Sequence, residues 1–161
     1  VGRFEEGVGN QMIKCIKGGD ILSSDCEAII NTVNTQGVMG KGLALLYRKK
    51  YPKMFTAYRR ACLDGEVKTG FMHLWKVPNE DKWVINFPTK QHWRNNSEME
   101  WIVEGLKDLV KVVKEKGIKS LAIPPLGCGL GGLHWYLVKK EILQVCEEHF
   151  SDIRIEIYEP A

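Results

Sequence analysis

The chain has 161 residues, 44% of them hydrophobic and 27% charged, which suits one globular domain and excludes a disordered, collagenous or coiled-coil protein. Its 23 basic and 20 acidic side chains leave a net charge of +3, too slight to announce a nucleic-acid binder yet compatible with a phosphate-bearing ligand. No apolar run can span a bilayer, no secretory signal opens the chain, and five cysteines without a CxxC pair fit neither a disulfide framework nor a zinc cluster, so a reducing cytoplasm is the expected setting.

Residues 1–11 carry three glycines and no periodicity. They read as an expression scar or disordered leader, with a native start at Met12 and one domain over 12–161. Met12 to Lys17 is a predicted strand, Gly18 to Ile21 a turn, and Ala28 to Val33 a buried β-branched strand. The glycine-bearing loop Gln36 to Gly42 opens a helical stretch that Pro52 divides into two short helices ending near Gly65. Phe71–Val77 and Lys82–Phe87 are predicted strands joined by the turn Pro78 to Asp81. Ser97-Glu98-Met99-Glu100 reads as a capping box, followed by Ile102, Leu106, Leu109 and Val113 at helical spacing and by Gly117 as the left-handed stop. Leu121 to Ile123 is a buried strand, a helix runs from about His134 to His149, and Ile153 to Tyr158 alternates as a last strand. Strands alternating with helices predict an α/β layered fold with a mixed sheet.

Leu126 to Leu133 places four glycines between a strand and a helix. Glycine lets backbone N–H groups approach an anion, and a helix N-terminus adds partial positive charge, so a pyrophosphate fits; the plainer reading is a tight turn that positions the helix. Asn34 to Gly42 has the same placement. It is no Walker A loop, because Gly42 follows Lys41 where magnesium binding needs Ser or Thr. Two such loops at strand ends suggest a diphosphate gripped from both sides. Gly127-x-Gly129-x-x-Gly132 also matches the dinucleotide fingerprint, but the chain ends about thirty residues later, without a second mononucleotide half.

Lys90 follows Pro88 and Thr89 just past an apolar strand. It is either a solvated surface lysine or a nucleophile or electrostatic catalyst whose pKa burial lowers. His92, Trp93 and Arg94 beside it could stack bases and pair phosphates, or the segment could simply cap the next helix. His73 reads as a strand-face residue and His134 as a helix-start residue. No His/Cys/Asp group has metal-ligand spacing, so no metal is expected.

Gly19-Asp20-Ile21-Leu22, Asn31-Thr32-Val33-Asn34, Gly37 to Gly42 and Gly127 to Gly132 together resemble a macrodomain, from Met12 to Tyr158. The resemblance implies a three-layer α/β/α sandwich with a mixed central sheet. Asn31 to Thr35 with Met39 to Gly42 and the Thr89-Lys90 pair look like the lysine-dependent ADP-ribosyl glycohydrolases. Pro124-Pro125-Leu126-Gly127-Cys128-Gly129-Leu130-Gly131-Gly132-Leu133 followed by Trp135 is similar to macrodomains of the DarG antitoxins.

That resemblance implies removal of ADP-ribose from thymidine in single-stranded DNA, reversing a DarT-type toxin, by a cytoplasmic monomer without metal or cofactor. It further implies that the chain is the catalytic domain of a longer protein with a toxin-neutralising domain. Lys90 is then the catalytic lysine; Asp20 and the backbone of Ile21 meet adenine; Asn31 and Asn34 face the distal ribose. The loops Gly37-Val38-Met39-Gly40-Lys41-Gly42 and Pro125-Leu126-Gly127-Cys128-Gly129-Leu130 hold that ribose and the two phosphates, Thr89 is a ligand contact, and Tyr158 stacks on adenine. One departure stands out: the branch acting on protein-linked ADP-ribose carries an aspartate where this chain has Gly131. Hydrolysis of protein-linked ADP-ribose esters and non-catalytic ADP-ribose binding are the alternatives.

Overall fold

The computed structural model describes residues 2–6 and 12–160. Strands β1 (Gly2–Glu6), β2 (Met12–Lys17), β3 (Ala28–Val33), β4 (His73–Lys76), β5 (Trp83–Pro88), β6 (Ser120–Ile123) and β7 (Arg154–Glu159) alternate with helices α1 (Gly42–Lys50), α2 (Pro52–Leu63), α3 (Met99–Lys116) and α4 (Trp135–His149). The strands form one sheet in the order β1-β2-β7-β6-β3-β5-β4. Its five inner strands are parallel, while β1 on β2 and β4 on β5 are antiparallel. This is the expected mixed sheet.

Covered on both faces, the inner strands read as continuous apolar runs. Ile30, Phe87, Leu121 and Ile155 pack under α3 and α4 with Leu106 and Ile142. Ile29, Val33, Val84 and Ala122 pack on the other face under α1 and α2 with Met54 and Tyr58. The result is the expected α/β/α sandwich. Pro52 ends α1 and starts α2 as its first residue, the position where its missing N–H costs least. Gly117, at φ +64°, closes α3. Midway along α3, a β-carbon at Gly105 would lie 2.3 Å from the Phe87 ring, so glycine there lets the helix settle directly onto β5.

Two expectations need correction. The backbone of Gly2–Glu6, set aside with the leader, forms β1 on the edge of the sheet; residues 1 and 7–11 lie outside the described residues. The capping box does not form. Glu98 is the N-cap of α3 with no side-chain hydrogen bond, the Ser97 hydroxyl is buried without a partner, and the Ser97 N–H donates instead to the Gly131 carbonyl at 2.8 Å. A tertiary contact to the glycine loop has outcompeted the local cap.

Candidate functional site

Parallel strands end at one edge of the sheet, and the loops that follow neighbouring strands gather there. The segments after β3, β5 and β6 enclose a cavity of about 720 Å³, within the range of small-molecule sites. Among the expected residues, Asn34, Val38, Gly40, Lys41, Gly42, Thr89, Lys90, Trp93, Arg94, Pro125, Gly127, Cys128, Gly129 and Leu130 line it. Thr32, Val33, Leu43, Ala44, Pro124 and Gly131 line it as well and were not anticipated. Leu43 and Ala44 had a signal: they open the helix behind a glycine loop.

The loop after β3 is built by one side chain. Asn34 Oδ1 accepts from the N–H of Gln36 at 2.9 Å and Val38 at 3.4 Å, and from the Tyr58 hydroxyl at 2.9 Å. Its Nδ2 donates to the Val38 carbonyl at 2.8 Å. Asn34 therefore organises the loop around itself. Val38 and Gly40 then face out, while Gly37 and Met39 turn inward. α1 begins at Gly42 with no side-chain cap and no acidic residue in its first turn. Its free N–H groups and partial positive charge therefore meet the cavity.

Across the cleft, the loop after β6 is shaped by its backbone. Gly127, Gly129 and Gly132 take φ of +71°, +66° and +78°. Leu133 N–H donates to the Gly127 carbonyl at 2.9 Å and Gly132 N–H to Gly129 at 3.0 Å. A β-carbon at Gly127 would sit 2.7 Å from Leu133 Cδ1 at a left-handed φ, so any side chain there must push Leu133 aside and strain the backbone. α4 adds no charge here: His134 caps it through Nδ1 and Tyr136 N–H, and none of its residues lines the cavity. The expectation that the helix behind this loop supplies positive charge is thus corrected; that role falls to α1. Leu130, 65% exposed, reaches over the mouth to within 3.5 Å of a β-carbon position at Gly42.

Thr89 is held by its N–H to the Val33 carbonyl at 2.9 Å, which delivers Lys90 to the cavity rim. Lys90 Nζ donates to the Trp93 carbonyl at 3.2 Å, and burial lowers its pKa from the ordinary lysine value. Next to it His92 stacks on Trp93 at 5.6 Å and the Arg94 guanidinium lies 4.6 Å over the same ring. His92 itself does not reach the lining. Cys128 is no nucleophile at neutral pH, because burial pushes its thiol up to about 11.

Several expected contacts lie elsewhere. Asn31 does not face the cavity. It is fully buried under α2, donating to Asn86 Oδ1 at 3.1 Å, and Asn86 Nδ2 in turn meets His73 Nδ1 at 3.0 Å. Alternation along β3 puts Asn31 on the face of Ile29 and Val33, and its place two residues before the strand end keeps it in the interior while Val33 reaches the lining. Met39 and Leu126 are buried anchors beneath their loops, and Gly37 packs against Arg59. Tyr158 is buried beside Gly19, with its hydroxyl donating to Glu156 at 2.9 Å, and does not line the cavity. Asp20 and Ile21 follow β2 at the same edge but outside the lining. Asp20 caps the turn there, accepting from Leu22 N–H and the Ser23 hydroxyl. The adjacent Asp25 and Cys26 and the distant Glu156 bring ligand atoms within 4.8 Å of one another, but the Arg154 guanidinium already bridges the two carboxylates.

No helix among the described residues is long and apolar enough to cross a membrane, and the five cysteines carry free thiols.

Comparison with known proteins gives this geometry a family. The model of the Macro domain matches residues 30–142. A DNA ADP-ribosyl glycohydrolase of Mycobacterium tuberculosis is 47% identical over 145 residues, covering 89% of this chain and 41% of that protein. This chain thus spans about two fifths of that relative's length. The macrodomain of Mycobacterium tuberculosis DarG superposes with a TM-score of 0.87 at 46% identity, over 91% of this chain and 98% of that one. Thermosipho africanus DarTG in complex with ADP-ribose superposes at 0.84 and 35% identity, over 99% of this chain and 43% of that one. With its two glycine loops lining one cavity, its sandwich and these matches, the chain belongs to the macrodomain family.

Proposed function

We propose that the chain is a hydrolase that removes ADP-ribose from thymidine in single-stranded DNA, undoing the modification made by a DarT-type toxin. The observation that carries this reading is Lys90. A partly desolvated amine stands at the rim between two loops suited to a diphosphate, beside an aromatic–cation stack suited to a base. Support also comes from relatives named DNA ADP-ribosyl glycohydrolase and from the likeness to DarTG in complex with ADP-ribose.

The phosphates lie against the N–H groups of Gly40 to Ala44 and against the Gly127 to Leu130 loop, in which the Cys128 N–H is already given to the Pro125 carbonyl. Asp20 and Ile21 take the adenine end. From β5, which delivers Lys90, to β2, which delivers Asp20, the sheet order crosses β3, β6 and β7, about 19 Å at roughly 4.8 Å per strand. That length suits an extended nucleotide with a second sugar. Thymine leaves the anomeric carbon toward Trp93 and Arg94.

Lys90 then acts as the nucleophile. Its neutral amine bonds to the anomeric carbon while the bond from that carbon to the thymine nitrogen breaks, its electron pair leaving with the base. The proton shed by the newly bonded nitrogen neutralises the departing thymine. Water next displaces the lysine, restoring the amine and releasing ADP-ribose. No carboxylate is found among the described residues lining the cavity, so the lysine supplies the proton itself. Water alone is consumed, because the amine is regenerated; we place this reaction in a cytoplasmic monomer working without metal or cofactor.

The test is incubation with a single-stranded oligonucleotide carrying ADP-ribosylated thymidine, beside a protein carrying ADP-ribose on a glutamate ester. Release of ADP-ribose from the oligonucleotide is expected. Turnover of the ester alone would replace this reading by its protein-directed counterpart, and binding of ADP-ribose without turnover of either would make the chain a reader.

A further inference from the structure

Charge is distributed unevenly along the chain. Between Glu27 and Asp64 there is no carboxylate, while Lys41, the Arg48-Lys49-Lys50 run, Lys53 and the Arg59-Arg60 pair all fall there, and all are exposed. Against a net +3 for the whole chain, one outer layer, α1 and α2, concentrates the positive charge. Some of these groups are already engaged. Arg60 meets Asp64 at 3.4 Å, Arg48 lies 4.2 Å over the Phe55 ring, and Lys50 donates to the Leu22 carbonyl. Lys41, Lys49, Lys53 and Arg59 have no acidic partner among the described residues.

Arg59 is the one that adjoins the site from outside. α2 runs toward the cavity edge, where the Tyr58 hydroxyl donates to the Asn34 carbonyl at 2.7 Å. There the Arg59 stem lies 3.3 Å from a β-carbon position at Gly37, one residue before the rim residue Val38. The same loop is tied to the opposite rim by Thr35, whose N–H and hydroxyl both donate to the Gln91 carbonyl, at 3.3 and 3.0 Å. Gln91 leads directly into Trp93 and Arg94. A continuous rim therefore runs from Arg94 past Lys90 and the Thr35–Val38 loop to Arg59, with unneutralised cations at both ends.

We infer that the acid-free α1–α2 layer, anchored by Arg59 beside Gly37, is a phosphate-backbone track for a single nucleic-acid strand whose modified base is presented at Lys90. This rests on the function proposed above and extends it from the modified nucleotide to its neighbours. Phosphate contacts of this kind position a strand without reading its sequence, and they weaken with salt because each one releases condensed counterions.

The experiment compares Arg59→Gln, Arg59→Lys and Arg60→Gln on two substrates: ADP-ribosylated thymidine as a mononucleotide, and the same group within an oligonucleotide of about twelve nucleotides. Arg59→Gln is expected to raise KM for the oligonucleotide about 3- to 10-fold and to lower the slope of log KM against log salt by about 0.7, one phosphate contact on a single strand. It should leave the mononucleotide unaffected. Arg59→Lys restores most of the loss, and Arg60→Gln, whose charge is spent on Asp64, changes neither substrate. Unchanged oligonucleotide KM and salt slope in Arg59→Gln, or an equal loss on the mononucleotide, would overturn the track. Should the unaltered chain release ADP-ribose from neither substrate, the functional reading fails, but the track is still read by fluorescence anisotropy of an unmodified oligonucleotide. Weaker binding by Arg59→Gln than by Arg60→Gln upholds it, and equal binding refutes it.

Discussion

The two glycine loops that face each other across the cavity do the same work by opposite means. The loop after β3 hangs from the Asn34 side chain and ends in a helix without a side-chain cap, whose first N–H groups open on the cavity. The loop after β6 has no such side chain. Its course is fixed by three left-handed glycines and by Ser97 N–H beneath Gly131, and the helix behind it is capped by His134 and takes no part. A cavity-lining loop can thus be preorganised by one polar side chain or by backbone geometry alone. The two constructions should fail under different substitutions.

Gly127→Ala should do the most damage. It combines a positive φ with a β-carbon 2.7 Å from Leu133 and 3.2 Å from Ile102 and Ser97, at a cost of about 2–4 kcal/mol. Denaturant unfolding should show that loss, and calorimetry a fall of at least tenfold in ADP-ribose affinity. Asn34→Ala comes next. Losing the acceptor of Gln36 and Val38 N–H costs about 1–3 kcal/mol and slackens only the first loop, so ADP-ribose binds about tenfold more weakly. Asn34→Asp, which keeps the oxygen, recovers part of it. Native affinity in Asn34→Ala would break the contrast. Smallest is the pair Gly129→Ala and Gly40→Ala. The first meets open space at φ +66° and should cost only about 1–2 kcal/mol of backbone strain. The second, without positive φ and with its nearest atom at 3.8 Å, should stay within about 0.5 kcal/mol of the parent.

The electrostatics of the rim add a pH signature. Burial disfavours the ammonium form of Lys90, so its folded-state pKa lies below that of an ordinary lysine and the reactive neutral amine appears at lower pH. kcat/KM should therefore rise with pH through a midpoint below about 10.4. A rate that falls over that range would assign Lys90 an electrostatic role instead.

Much of the fold was legible because local and tertiary preferences agree. Apolar β-branched runs became β3 and β7, Pro52 divided two helices, and Gly117 stopped α3. What escaped the sequence was decided by partners far along the chain. Ser97 looks like a cap until Gly131 claims its N–H. The glycine at 105 has no local meaning until Phe87 lies beneath it. In the site, the cavity-lining loops were readable because glycine runs after strands have few other uses, and the place of Lys90 at the rim because Pro88 ends the strand before it, whereas its role came only from the family resemblance. Asn31 and Tyr158 were misplaced because a motif names residues without saying which face of a strand they occupy. The alternation of Ile29, Asn31 and Val33 would have turned Asn31 into the core. Arg59 left no motif at all; its place beside Gly37 depends on how α2 returns to the sheet edge.

The central claim is that the loops bind and the lysine reacts, and one measurement separates these roles: turnover of the ADP-ribosylated oligonucleotide and ADP-ribose affinity, both taken on Lys90→Ala. Lys90→Ala should lower kcat about a hundredfold or more while Kd for ADP-ribose stays within about threefold of the parent. Undiminished turnover, or affinity that collapses in step with kcat, would contradict it.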